Sequence, residues 1–321
     1  MRANGAGERG QGCTGQGCTG ERVTLYNTAY NGSWRAGGRA AFSVRCYTWA
    51  MYPQITIGSL HVASFSVMLA LAFVVGSLVG AGHLRFLKVD PIFVWKLAPW
   101  AAVAGLVGAQ LYSVIINLVW GGMDLATALA TRGQVFYGGL FAGVLAALWR
   151  FQKAGLPRVW LFDYGVSCIA FAHVVGRIGC FLVGDDYGVP TTAPWGVAFP
   201  QGAPPSTAGY LRSRGVDIAS DISASTVMSV HPVQLYEASV LLVLGVVLWR
   251  AARRPHRPYA VLAMYALGYG SWRFFIEFWR PKNDHLLVGL TSAQLISLGL
   301  VLVGLATLVQ GRRAHPSIPT A

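Results

Sequence analysis

The chain has 321 residues, of which 54% are hydrophobic and 12% charged, against roughly 25% charged in an ordinary soluble domain. A soluble globule of this length needs a charged shell, so this composition, with a mean hydropathy of +0.49, excludes one and indicates a chain solvated by lipid. The net charge of +13 does not indicate nucleic acid, because the basic residues fall in short loops between apolar spans, where they orient a membrane protein.

In chain order, residues 1–50 carry six Arg and the near-repeat GQGCT-GQGCT. They contain no apolar stretch able to bury itself and are expected to form an unstructured tail. No apolar core follows this basic region before Val62, so it is not a secretory signal. Cys13 and Cys18 lack the second Cys/His pair that a zinc site needs. The run MYPQITIGSL leads from Met51 straight into the first apolar span, so translation starting at Met51 would leave the tail out. Residues 51–321 are expected to form one membrane domain.

A bilayer core of roughly 30 Å needs about 20 apolar residues in a helix. Seven windows qualify, near 57–81, 93–119, 134–149, 159–182, 232–249, 259–279 and 291–310, the third being short and Gly-rich. The expected fold is an all-α polytopic membrane protein with seven transmembrane helices and one long outer-side loop, residues 183–231. Such a loop is functional or disordered.

The loops after spans 1, 3 and 5 and the C-terminus hold eleven basic residues: Arg85, Lys88, Arg150, Lys153, Arg158, Arg250, Arg253, Arg254, Arg257, Arg312 and Arg313. The opposite loops hold five: Arg132, Arg212, Arg214, Arg280 and Lys282. The bias predicts a cytoplasmic C-terminus and puts the 183–231 loop outside.

A charge at the bilayer centre costs at least a few kcal/mol, so ionisable residues inside spans are candidates for function. Arg177 lies in GRIGCFLVGDDYG near the outer end of span 4, where a guanidinium fork suits a phosphodiester and Gly176 and Gly179 leave room for a headgroup. Its alternative is a packing role, with the guanidinium bonded to a carbonyl. Arg273 and Glu277, four apart in WRFFIEFWR, share a helix face as an ion pair of functional or purely structural kind. Glu237 in HPVQLYEA lies one turn inside span 5, with His231 and Pro232 at its entrance, and Tyr137 opens span 3 in QVFYGG. All these groups lie toward the same outer face. Lys96, Asp163 and His83, near cytoplasmic ends, are expected to snorkel, and His173 reads as a structural residue of an apolar helix.

The ordered set GRIGCF, HPVQLYEA and RFFIEFWR, on those spans, resembles the prolipoprotein diacylglyceryl transferases of bacterial inner membranes, over about residues 57–310. The resemblance implies transfer of the diacylglyceryl group of phosphatidylglycerol to the lipobox cysteine thiol of prolipoprotein signal peptides at the periplasmic leaflet, releasing glycerol phosphate. This is the first step of lipoprotein maturation, and it implies no cofactor, no metal and no nucleic-acid partner. By the same resemblance Arg177 binds the headgroup, Arg273 and Glu277 are the essential pair of the sixth helix, and Tyr269 lies one turn before them. Glu237 and His231 join the substrate-binding set. The chain departs from the family where Cys180 replaces an Asn, Asp185 a Glu, Tyr137 a His, and Phe65-Ser66 a Tyr-Gly.

The chemistry asks for a thiolate, an in-line glyceryl carbon and stabilisation of the leaving phosphate. Arg177 and Arg273 can meet the last two needs. Tyr137, Asp185 and Glu277 are the alternatives for the base. Cys180 reads as a small buried hydrophobe. Two other functions fit the same residues: a transporter of an anionic solute lined by the arginines, and an inactive paralogue that binds lipid or a lipoprotein precursor.

Overall fold

The computed structural model describes residues 29–30, 33–34, 53–57, 60–119, 121–130, 136–281, 285–287 and 289–311. The expected tail and the Met51 start lie outside them, apart from a two-residue pairing of Ala29–Tyr30 with Ser33–Trp34. Chain entry differs from expectation. Gln54–Ile57 (β1) pairs antiparallel with Leu60–Ala63 (β2), and the Ser64 N–H donates to the Pro53 carbonyl at 3.1 Å. The first helix therefore begins at Ser64 rather than near residue 57.

Helices α1 (Ser64–Phe86), α2 (Ile92–Val119), α3 (Leu125–Ala130), α4 (Phe136–Lys153) and α5 (Arg158–Val183) are followed by short α6 (Ala208–Ser213). Then come α7 (Val233–Ala252), α8 (Ala260–Ile276) with a 3-10 turn at Glu277–Trp279, and α9 (Ser292–Gly311). Five of them, α1, α2, α5, α7 and α9, are long and apolar enough to cross a membrane. The 18 residues of α4 and the 17 of α8 are not, because α4 carries Arg150 and Lys153 in its last turn and α8 gives up its end to the 3-10 turn. Large apolar side chains point outward all along the helices, as with Phe141 of α4 at 68% exposure and Leu302 of α9 at 66%. Hydrocarbon accepts such a surface without the cost that water would exact.

Helix contacts run through small residues, as they do where lipid removes the hydrophobic drive between helices. A Cβ at Gly138 of α4 would stand 2.6 Å from the Gly108 carbonyl of α2, and one at Gly139 2.9 Å from that of Gly105. At the opposite end of the bundle from the α5 C-terminus, Leu84, Tyr164, Val166, Leu248, Ala252 and Val261 form a core.

Asp163 and His83, expected to snorkel, do neither. Asp163 is fully buried and caps α8 from α5, accepting the N–H groups of Tyr259 at 2.7 Å and of Val261 and Leu262 at 3.0 Å. A helix N-terminus leaves these donors open, and a carboxylate also suits its dipole. His83 is buried with Nε2 2.7 Å from the Ser167 hydroxyl. Lys96 alone of the three is exposed.

The connection from α5 to α7 is ordered around its own core of Tyr187, Phe199, Leu211, Ile218 and Val230. Val197–Ala198 (β3) pairs antiparallel with Ser229–Val230 (β4). Arg212, counted above as a loop charge, is structural, donating to the carbonyls of Ile218, Ala219 and Ile222.

Candidate active site

Helix α5 is capped by Gly184, whose left-handed φ of 71° lets the following Asp185 N–H turn back to the Cys180 carbonyl at 3.1 Å. The chain then turns back across the bundle end. The Gly188 N–H donates to the His231 carbonyl and the Val189 N–H to the Trp279 carbonyl, each at 2.8 Å. A Cβ at Gly188 would lie within 2.8 Å of Val233, His231 and Trp279, so only glycine allows this approach. These bonds bring the Asp185-Asp186 turn, the start of α7 and the end of α8 together.

A chain of ion pairs occupies the meeting point. Arg177 of α5 reaches Glu237 Oε1 of α7 at 3.0 Å and Asp186 Oδ2 at 3.1 Å. Arg280 bonds the other Asp186 oxygen, Oδ1, and approaches Glu277 Oε2 at 3.6 Å. Arg273 of α8 donates to that same Glu277 oxygen at 2.6 Å. The Thr291 hydroxyl donates to Glu277 Oε1 at 3.3 Å, and the Tyr269 hydroxyl to Glu237 Oε1 at 3.1 Å. His173, one turn before Arg177, places Nε2 3.8 Å from Glu237 Oε1 and packs edge-on to Tyr269. Glu237, Glu277 and Arg280 are buried. Three guanidinium groups thus face three carboxylates, and pairing on this scale is what makes buried charge tolerable.

Asp185 stands outside this balance. Burial, and then the negative charge of Asp186, push its carboxyl up to about 6, against the pull of a Cys180 hydrogen bond and of Arg177 and Arg280. Among the described residues, Asp185 Oδ1, Glu237 Oε2, Arg177 Nε and Arg280 Nε have no hydrogen-bond partner. Cys180, Asp185 and Asp186 could together offer donors to a metal ion, but Arg177 and Arg280 already hold both Asp186 oxygens and would repel a cation.

The structure therefore brings together Arg177, Tyr269, Arg273, Glu237 and Glu277, with Asp185 beside them. His231 stands apart in an aromatic corner, its Nδ1 3.2 Å from the Tyr236 hydroxyl, which accepts the Trp195 indole N–H at 2.7 Å. Tyr137 lies in the first turn of α4, and its side chain is outside the described residues. Gly179 does not make room for a headgroup: a Cβ there would stand 2.9 Å from Met68 of α1, whereas Gly176 does border open space. Sequence reasoning missed His173, Asp186 and Arg280. Two were within reach of it, since His173 precedes Arg177 by four residues and Arg280 follows Glu277 by three, the spacings of one helix face.

A family model described as prolipoprotein diacylglyceryl transferase matches residues 53–310. The chain is 30% identical over 281 residues to a phosphatidylglycerol–prolipoprotein diacylglyceryl transferase of Stenotrophomonas maltophilia, covering 83% of this chain and 95% of that one. It is 36% identical to proteins of the same name from Xanthomonas oryzae pv. oryzae, over 59% of this chain and 65% of theirs, and from Xylella fastidiosa, over 54% and 61%. The chain belongs to the prolipoprotein diacylglyceryl transferase family.

Proposed function

We infer that this site transfers the diacylglyceryl group of phosphatidylglycerol to the lipobox cysteine thiol of a prolipoprotein signal peptide. The chain is a diacylglyceryl transferase of lipoprotein biosynthesis. The observation that carries the residue-level reading is the buried arginine–carboxylate chain, in which Glu237 lies within electrostatic reach of Arg177, Arg273 and Arg280. A phosphodiester entering there meets preorganised guanidinium forks.

The thiol sulfur forms a bond to the glyceryl C3 as the C3–O bond to phosphate breaks. The electron pair leaves with glycerol phosphate, where Arg177 and Arg273 stabilise the developing charge. We assign the thiol proton to Asp185, whose carboxyl at about 6 lies near working pH, where a general base is most useful. Glu277, already committed to Arg273, Arg280 and Thr291, orients the arginines. Tyr269 and Glu237 set the other wall for the headgroup, His231 completes the substrate-binding set, and Tyr137 stays the alternative base.

In this reading all seven windows span the inner membrane, α4 and α8 as short helices, with the C-terminus cytoplasmic and the site at the periplasmic leaflet. The eleven-to-five bias of basic residues supports that sense. The test is complementation of a bacterium depleted of its own transferase, beside transfer from labelled phosphatidylglycerol to a lipobox peptide by the purified chain. Growth with lipidated precursors is expected, and failure of both assays with a well-inserted protein would refute the activity. A reporter fused after Ala321 is expected to be active only in the cytoplasm, and one near Gly209 only outside.

A further inference from the structure

The three carboxylates that balance the arginines are not equivalent. Glu237 and Glu277 have side chains 0% and 1% exposed, whereas that of Asp186 is 39% exposed. Asp186 is also the carboxylate that bridges two arginines through separate oxygens, Oδ2 to Arg177 and Oδ1 to Arg280, the two-oxygen geometry with which a phosphodiester would meet the same forks. Its backbone is held at φ 56°, a left-handed conformation that a non-glycine residue adopts at a cost. The Nε atoms of the same two arginines have no hydrogen-bond partner among the described residues, although Arg280 is 6% exposed. The buried fork of Arg280 and the half-buried fork of Arg177 thus close on a solvent-facing carboxylate held in a left-handed turn.

Charge accounts for the direction. Three guanidinium groups already face Glu237, Glu277 and Asp186, with the Asp185 carboxyl beside them, so a phosphodiester anion added to the site would bring one further negative charge into it. If the anion replaces Asp186, the net charge of the site is unchanged. Resting on the transferase reading above, we propose that the Asp186 carboxylate occupies the seat of the substrate's phosphodiester between Arg177 and Arg280 and is displaced when phosphatidylglycerol binds, which makes Arg280 a headgroup-binding residue.

The test is binding, read separately from turnover. The shift in melting temperature of the full chain in detergent is followed as phosphatidylglycerol is titrated, with diacylglycerol as the control that lacks the phosphodiester. Asp186→Asn removes the competing charge and is expected to lower the half-saturating concentration of phosphatidylglycerol at least threefold and to leave that of diacylglycerol unchanged. Arg280→Gln is expected to raise it about tenfold, as loss of a charged hydrogen-bond donor does. Asp186→Gly, which suits φ 56°, serves where the Asn variant does not fold, and the same tightening is expected. Unchanged or weaker phosphatidylglycerol binding in a folded Asp186 variant, or equal tightening toward diacylglycerol, overturns the proposal. Absence of transfer by the wild-type chain would instead refute the transferase reading, and the binding titration would still decide the seat.

Discussion

Replacing Asp163 by Asn tests whether a buried carboxylate on α5 holds α8 in place. The carboxylate accepts three backbone N–H groups at the α8 N-terminus, two on Oδ1 and one on Oδ2. The amide of Asn offers one oxygen, which can keep the bonds to Val261 and Leu262 in weaker, neutral form, while its NH2 group faces the Tyr259 N–H, donor against donor. Losing one charge-assisted bond costs about 1.5–3 kcal/mol, and weakening two others about 0.5 kcal/mol each or more, for a total of about 3 kcal/mol. The loss falls on Tyr259, whose φ of 61° persists only while its surroundings enforce it. Reversible unfolding in mixed micelles of rising SDS fraction gives the free-energy difference directly. Arg273 lies about 20 Å further along α8 and is still tied by Glu277, so the folded fraction of Asp163→Asn is expected to keep its transfer rate. A variant that unfolds within about 0.5 kcal/mol of wild type would refute the capping argument, since it would mean those N–H groups are satisfied without the charge.

Arg177→Lys is expected to abolish most transfer to a lipobox peptide while the protein inserts and melts normally, because Lys offers a point charge in place of the fork that spans Glu237 and Asp186; near-normal turnover would remove the headgroup role. Glu277→Gln and Arg273→Gln are each expected to damage transfer, and the double variant to lose less than the two combined, because the pair meets at 2.6 Å; strict additivity would show separate action. Asp185 is held up to about 6, above its ordinary 3.8. Its fold therefore favours the protonated acid, a stabilisation present at acid pH and lost as pH rises through about 6, while the basic form fills over the same interval. The transfer rate is expected to rise through pH 6 and Asp185→Asn to lose that limb; an unchanged pH profile would assign the proton elsewhere.

Composition and spacing were enough to give an all-helical membrane chain, because lipid forces long apolar runs that a count of residues detects. They also singled out Arg177, Arg273 and Glu277 as candidates, because a charge inside an apolar run is conspicuous and an i,i+4 spacing fixes its face. What they could not show is which charge meets which. Arg280 and Asp186 lie outside the apolar runs and read as loop charges, and backbone bonds such as those from Gly188 to His231 and from Val189 to Trp279 fold those loops over the helix ends. Asp163 looked like a residue near a membrane edge, yet it is buried because an N-terminus nearly a hundred residues later in the chain needs its oxygens. Gly179 signalled room for a ligand, and the tertiary structure spends that room on α1. The lipid solvent and the five long apolar helices were legible in the chain, since these follow from local periodicity and transfer free energy. The partners of the buried charges were decided only by tertiary structure, since they depend on contacts between segments whose spacing along the chain carries no information about them.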